Sequence, residues 1–167
     1  MPAHLLVEPL GDDIITIAGC LVLDALAFPR PGFVAARDLR RPGFRAWVCR
    51  STDTPELWGF LGSLRSRDAL HVTAVTCAEA HRRHGVGTAL LRTAMLQART
   101  MRLHRLTLEV RPDNEPAVAL YRKLGFSDEG LRPSYYGPGD DALSFSLSLD
   151  RATRAPARTP RRGGQGS

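Results

Sequence analysis

A mixed α/β sheet, mostly antiparallel, with one central parallel βαβ pair and helices on both faces is the fold class this sequence predicts. Apolar positions switch repeatedly between alternating and helical spacing along the first 150 residues. Over 70–110 a strand-like run, a glycine turn, a helix-like stripe and a second strand-like run follow one another; that is a βαβ crossover, and its two strands should be parallel. Short strands joined by turns flank it, so the rest of the sheet should be antiparallel.

The elements follow in order. Residues 3–8 read as a first strand. Asp12 or Asp13 can cap the next helix, where Ile14, Ile17, Leu21, Ala25 and Phe28 recur at helical spacing. Pro29 and Pro31 cannot continue it, and a short second helix is expected around 33–40. Residues 44–50 and 57–65 read as strands joined by a Ser-, Asp- and Pro-bearing turn; 70–77 is a third strand of this meander. Leu90, Leu91, Ala94, Met95 and Ala98 make the apolar stripe of a helix over 87–101. The run 103–110 alternates, with Leu106, Leu108 and Val110 on one face and Thr107 and Glu109 on the other. Residues 114–126 read as a helix with Asn114 as cap, Pro116 in its first turn and Gly125 at its end. Two strands should close the sheet, the second over 142–150.

The chain has 167 residues, enough for one domain with a real core. Its formal charge of +6 is misleading, because the stretch after Asp150 holds five arginines and no acid. Residues 1–150 therefore carry about +1, which argues against a broad nucleic-acid footprint on the domain. Residues 151–167 are rich in Arg, Pro and Gly and are expected to be a disordered basic tail, the one part with charge for a contact with RNA. No apolar run is long enough to span a bilayer, and residues 1–13 lack a basic-then-apolar leader; a cytoplasmic protein without membrane contact is the expectation. Cys20, Cys49 and Cys77 form no CxxC pair and are expected to be buried apolar residues. His71, His81, His84 and His104 share no ligand spacing, so no metal is expected.

The segment HRRHGVGTALLRT (81–93) carries the chemistry. A helix that opens after Gly85, Val86 and Gly87 leaves backbone N–H groups without intrahelical partners, and its dipole favours an anion beside them. Arg82, Arg83 and His84 add donors, so phosphate fits best. A Walker loop would need a lysine that is absent here. A dinucleotide fingerprint would need glycine at Leu90, although Glu109 lies near the distance of a ribose-binding acid; such loops also follow the first strand of a parallel sheet. Arg82, Gly85 and Gly87 fit the pyrophosphate pattern [RQ]-x-x-G-x-[GA] in full; a tight turn without a ligand is the other reading.

Residues 108–126, LEVRPDNEPAVALYRKLGF, closely resemble the corresponding stretch of the GNAT superfamily of N-acetyltransferases. With the tyrosine pair 135–136 and the Asp-Ala that follows, they are most similar to its RimI type, which acetylates the N-terminal alanine of a small-subunit ribosomal protein. The resemblance covers 70–149; before that, Arg30 stands where the family often has tryptophan. It implies a GNAT-like sheet whose parallel pair splays around acetyl-CoA. The pyrophosphate would lie on Arg82, Arg83, His84, Gly85, Val86, Gly87 and Thr88. Thr73 and Ala74 would pair with the pantetheine arm, the N–H of Val75 would hold the oxyanion, and Asn114 would contact the cofactor. Glu109 would be the general base through water, Tyr121 the acid for the departing thiolate, and Tyr135 and Tyr136 a wall of the acceptor site. No Ser or Cys has an adjacent base signature, so direct attack by the amine is expected. The acceptor is expected to be a peptide or protein N-terminus. A small-molecule amine, or a non-catalytic module binding coenzyme A or peptide, are the alternatives.

Overall fold

The computed structural model describes residues 4–27 and 38–150. The expected proline break, most of the expected second helix, Arg30 and the tail 151–167 lie outside the described residues. In chain order come β1 (Leu5–Pro9), α1 (Ile14–Ala27), β2 (Phe44–Ser51), β3 (Leu57–Arg65), β4 (Ala69–Cys77), α2 (Val86–Thr100), β5 (Arg105–Val110), α3 (Glu115–Lys123), β6 (Ser127–Gly137) and β7 (Asp140–Ser148). One-turn 3-10 helices stand at Asp38–Arg40 and Glu79–His81. All seven strands join one sheet in the order β1-β2-β3-β4-β5-β7-β6. β4 and β5 are parallel, and every other neighbouring pair is antiparallel.

The sheet is covered on both faces. The larger core joins the α2 stripe Val86, Leu90, Leu91, Ala94, Met95 and Ala98 and the α3 residues Val118 and Tyr121 to Leu70, Val72, Leu106 and Leu108 of the central strands. A smaller cluster on the other face packs Cys20 of α1 against Val48, Phe60 and Ala74. In α1 the inward face centres on Cys20 and Asp24 rather than on the expected stripe, and Ile14 is exposed. Gly19 explains the rotation: a Cβ there would come within 3.2 Å of Leu57, so bare backbone lets the helix lie low on the sheet. Asp13 caps this helix by accepting from the N–H of Thr16 at 2.8 Å.

Two boundaries differ from expectation for one reason. The N–H of Leu103 bonds back to Ala98 and that of Arg102 to Arg99, a Schellman closure of α2 with Arg102 left-handed at φ 57. No glycine marks it, so β5 begins at Arg105 rather than at 103. In α3 the N–H of Phe126 bonds to Tyr121 and that of Gly125 to Arg122, so Leu-Gly-Phe is the cap and the helix ends at Lys123. Cys20 and Cys49 are buried as expected; Cys77 is only half-buried.

Gly59 on β3 is the tightest point. A Cβ there would lie 2.5 Å from the carbonyl oxygen of Thr76 and 2.7 Å from Val86. Gly59→Ala should therefore destabilise the protein by about 1–3 kcal/mol through overpacking. Denaturant unfolding measures this, and an unchanged midpoint would refute the close contact of β3, β4 and the start of α2.

Candidate functional site

The parallel ladder between β4 and β5 runs from Ala69↔Arg105 to Val72↔Leu108 and stops, although both strands continue. A bulge lies where it stops. On the β3 side Gly62 pairs with Ala74 and Ser63 with Val72, which leaves Thr73 as the extra residue. A bulge bends its strand and strengthens the local twist, and here β4 turns away from β5. Two cavities occupy the opening, of about 310 Å³ and about 700 Å³. Ala27, Val75, Asn114, Ala117 and Tyr121 line both, so they are two arms of one channel.

The larger arm runs to the glycine turn. Arg82, Arg83, Gly85, Val86, Gly87 and Thr88 line it, together with Cys77 and Leu120. Gly85 caps α2 in the left-handed region at φ 83 and brings no side chain to the first-turn N–H groups. Arg83 is also left-handed, at φ 65. Left-handed residues beside a helix start curl the backbone into an anion-holding concavity. Gly87 has a different reason, since a Cβ there would come 3.1 Å from Leu120 of α3. His84 does not line this arm; it bonds the carbonyl of Arg82 at 2.8 Å and packs edge-on against Trp58. The ring of His81 stacks flat on Trp58 with centroids 4.0 Å apart.

The smaller arm is lined by Thr73, Ala74 and Val75 on one side and by Glu109, Tyr135 and Tyr136 on the other. The hydroxyl of Thr73 is shut from solvent and has no partner among the described residues, as fits a place where a polar ligand enters. Asn114 caps α3 by accepting from Ala117 N–H at 3.3 Å and borders both arms. Tyr121 sits where the arms meet. Its ring tilts against Phe126 and Phe145, and burial pushes its hydroxyl up to about 12.

Glu109 is the polar centre of the smaller arm. Its side chain is 7 % exposed. Arg132 of β6 donates to its Oε1 at 2.7 Å and Tyr135 to its Oε2 at 3.2 Å. Ser144 of β7 donates to Oε1 at 3.5 Å, and Nε2 of His71 on β4 lies 3.1 Å from Oε2. A carboxylate only accepts, so Nε2 carries the proton, and Nδ1 of a neutral His71 accepts from Thr107 at 3.0 Å. Burial holds His71 below its usual pKa, Glu109 pulls it up, and Arg132 pushes it down. Burial and the adjacent Glu109 push Tyr135 up to about 12. Tyr136 is raised too, chiefly by burial; it stands edge-on to Tyr135 with Arg111 over its ring at 4.2 Å. Arg111 is held in turn by a forked pair with Asp140.

The turn, Asn114, Glu109, Tyr121 and the tyrosine pair thus border one channel, with His84 beside it. The sequence alone gives His71, Arg132 and Ser144 no place beside Glu109. His71 opposes Thr107 across the parallel ladder, and Ser144 opposes Glu109 across β5–β7; only the register reveals these neighbours.

A sheet opened at one parallel pair, with a glycine turn and two arginines on one arm and a buried, donor-held carboxylate on the other, is the frame of the site. Residues 20–126 match the acetyltransferase (GNAT) family, and the chain belongs to it. It is similar to an N-alpha-acetyltransferase of Sulfurisphaera tokodaii, 39 % identical over 97 residues that cover 55 % of this chain and 58 % of that protein. It is also similar to the ribosomal-protein-bS18-alanine N-acetyltransferase of Escherichia coli K12, 36 % identical over 72 residues covering 41 % of this chain and 49 % of that protein. The chain thus spans about half the length of the curated relatives it matches. Its fold matches the crystal structure of the ribosomal-protein-S18-alanine N-acetyltransferase from E. coli with a TM-score of 0.75 at 21 % identity, covering 90 % of this chain and 97 % of that one. Among the described residues no helix is long and apolar enough to cross a membrane.

The charges around His71 make a testable set. Its folded pKa lies below 6.5, so as pH falls below that value the unfolded chain takes up a proton the fold resists, and this residue then lowers stability. In an NMR titration Glu109→Gln should move the His71 midpoint further down and Arg132→Gln should move it up. The opposite direction in either variant would break the assigned network.

Proposed function

We propose that the chain is an acetyl-CoA-dependent N-acetyltransferase that acts on the α-amine of a peptide or protein N-terminus by direct attack. One observation carries this reading: Glu109 and Tyr121 border the same opening between β4 and β5, into which the glycine-turn arm leads. The relatives named for N-terminal acetylation favour the α-amine as acceptor.

The residues can perform each step. Acetyl-CoA lies with its pyrophosphate on the turn at Arg82–Thr88 and its pantetheine along Thr73 and Ala74. An α-amine has a pKa of about 8, so roughly one molecule in ten is neutral at pH 7. The neutral amine attacks the thioester carbonyl, and the oxyanion takes the N–H of Val75. The nitrogen turns positive as the C–N bond forms, and it loses its proton through water to Glu109. Ser144, at 3.5 Å the most distant donor on that carboxylate, is the one such a water would replace. The C–S bond then breaks, and the thiolate takes the proton of Tyr121. Burial that raises Tyr121 also raises a thiolate beside it, because both anions lose solvation. Tyr135 and Tyr136 flank the acceptor.

Two measurements test the reading. Gly85→Val puts a β-branched residue at φ 83, where side chains are strained. Calorimetry with coenzyme A should show a large loss of affinity, and wild-type binding would reject the turn as the phosphate site. Glu109→Gln and Tyr121→Phe should each slow turnover by about a hundredfold to ten-thousandfold at saturating acetyl-CoA. High pH should partly rescue the first variant, because more amine is already neutral, and should not rescue the second. A wild-type pH–rate profile in Glu109→Gln rejects it as the base; full activity in Tyr121→Phe rejects it as the acid.

A further inference from the structure

We propose that Arg132 makes the acceptor site select neutral α-amines and exclude protonated lysine ε-amines and polyamines; this rests on the acetyl-transfer reading above. An ionised carboxylate has about four acceptor sites. On Glu109 the donors Arg132, His71, Tyr135 and Ser144 take up all four. An incoming ammonium must displace one of these donors, and the charge that would attract it is already matched by Arg132. The arginine that lines the arm is committed to a carboxylate as well. Arg111 is forked onto Asp140, and Asp113 lines the arm near it, away from the four donors on Glu109. His71 is held neutral by burial.

The guanidinium of Arg132 also lies over the ring of Tyr135 at 4.8 Å. It comes from exposed β6 to a buried carboxylate, with side chains 55 % and 7 % exposed. An exposed pair contributes little to stability. Here one partner is buried, and removing the arginine leaves a buried charge uncovered. That charge would draw cations.

A site that accepts only neutral amines discriminates by pKa. With values of about 8 and 10.4, roughly one α-amine in ten and one ε-amine in 2,500 is neutral at pH 7, a preference of about two-hundredfold. The preference should fall from about 130-fold at pH 8 to about fourfold at pH 10, as the ε-amine gains its neutral form faster than the already half-neutral α-amine.

The test compares wild type, Arg132→Gln and Arg132→Lys on two peptides: one with a free N-terminus and no lysine, the other N-terminally blocked with a single lysine. The readout is kcat/KM by thiol release, with calorimetric binding of spermidine in parallel. Arg132→Gln should raise the ε-over-α ratio by at least about tenfold, the order of one unit charge a few ångströms away in a partly buried site. It should also bind spermidine, whereas wild type and Arg132→Lys, which keep the charge, should not. An unchanged ratio in Arg132→Gln, or spermidine binding equal to wild type, overturns the role of Arg132. If wild type acetylates neither peptide, the acetyl-transfer reading fails instead, and spermidine binding still decides whether Arg132 excludes cations.

Discussion

Strand β4 keeps its bond to β5 for only four residues, and the arrangement of the site follows from that interruption. In a closed sheet each strand satisfies its N–H and C=O groups on both sides. Beyond Val72 and Leu108 the β5-facing groups of β4 have no strand opposite them. The extra residue Thr73 turns β4 outward and holds the gap open. A gap between parallel strands in mid-sheet would be unstable if nothing braced it. The meander braces β4, which stays paired to β3 from Gly59↔Cys77 onward, and β7 braces β5 along its whole length. The unmet backbone groups are thereby fixed in place, at the opening where an extended ligand can complete the ladder.

The two faces of the opening differ in chemistry. Tyr121 belongs to the apolar core, packed among Phe126 and Phe145, and its surroundings keep its proton on. Glu109 looks out on the opposite face, where Thr107, His71 and Ser144 form a polar patch on β4, β5 and β7. A carboxylate this buried persists only with partners, and β6 supplies two of them, Arg132 and Tyr135. An acid that stays protonated and a carboxylate held by donors thus stand on two sides of one break in the sheet. Their environments arise from the two-residue period of β5, which turns Leu108 and Val110 one way and Glu109 the other.

Much of this was legible in the sequence, for reasons that differ by element. The meander, α2 and α3 carry strong periods, and Asn114 and Gly125 cap α3 as read. β6 has no period to read, because nearly all of Ser127–Tyr135 is solvent-exposed, with a register shift between Arg132 and Gly137. Its tyrosine pair was legible only through the family resemblance, and the contact of Arg132 with Glu109 was not legible at all. His71 stands 38 positions before Glu109, and only the parallel register brings them together. The face of α1 misled for another reason: Gly19 lets close packing rather than apolar spacing choose the buried side. α2 ends at an arginine in the left-handed region, a position the sequence marks in no way.

The glycines of the turn show why a short pattern of residues can carry so much information. Gly85 is favoured by conformation, since a Cβ there would meet nothing closer than Leu5 at 3.9 Å and it is its positive φ that strains other residues. Gly87 is favoured by packing, because α2 starts close against the side chain of Leu120 of α3. Gly59, outside the pattern, is required by packing from below, where β3 passes under Thr76 and Val86. The first turn of α2 is thus clamped between α3 and the meander at the end of the opened strand. A turn held this way keeps its N–H groups in a fixed direction, and a site fixed in advance spends little ordering entropy on whatever it binds. The rigidity that the smaller arm obtains from charge pairs on Glu109 is obtained here from close packing. The support of the turn is therefore sensitive to an added methyl group at Gly59, and the arm at Glu109 to a change of charge.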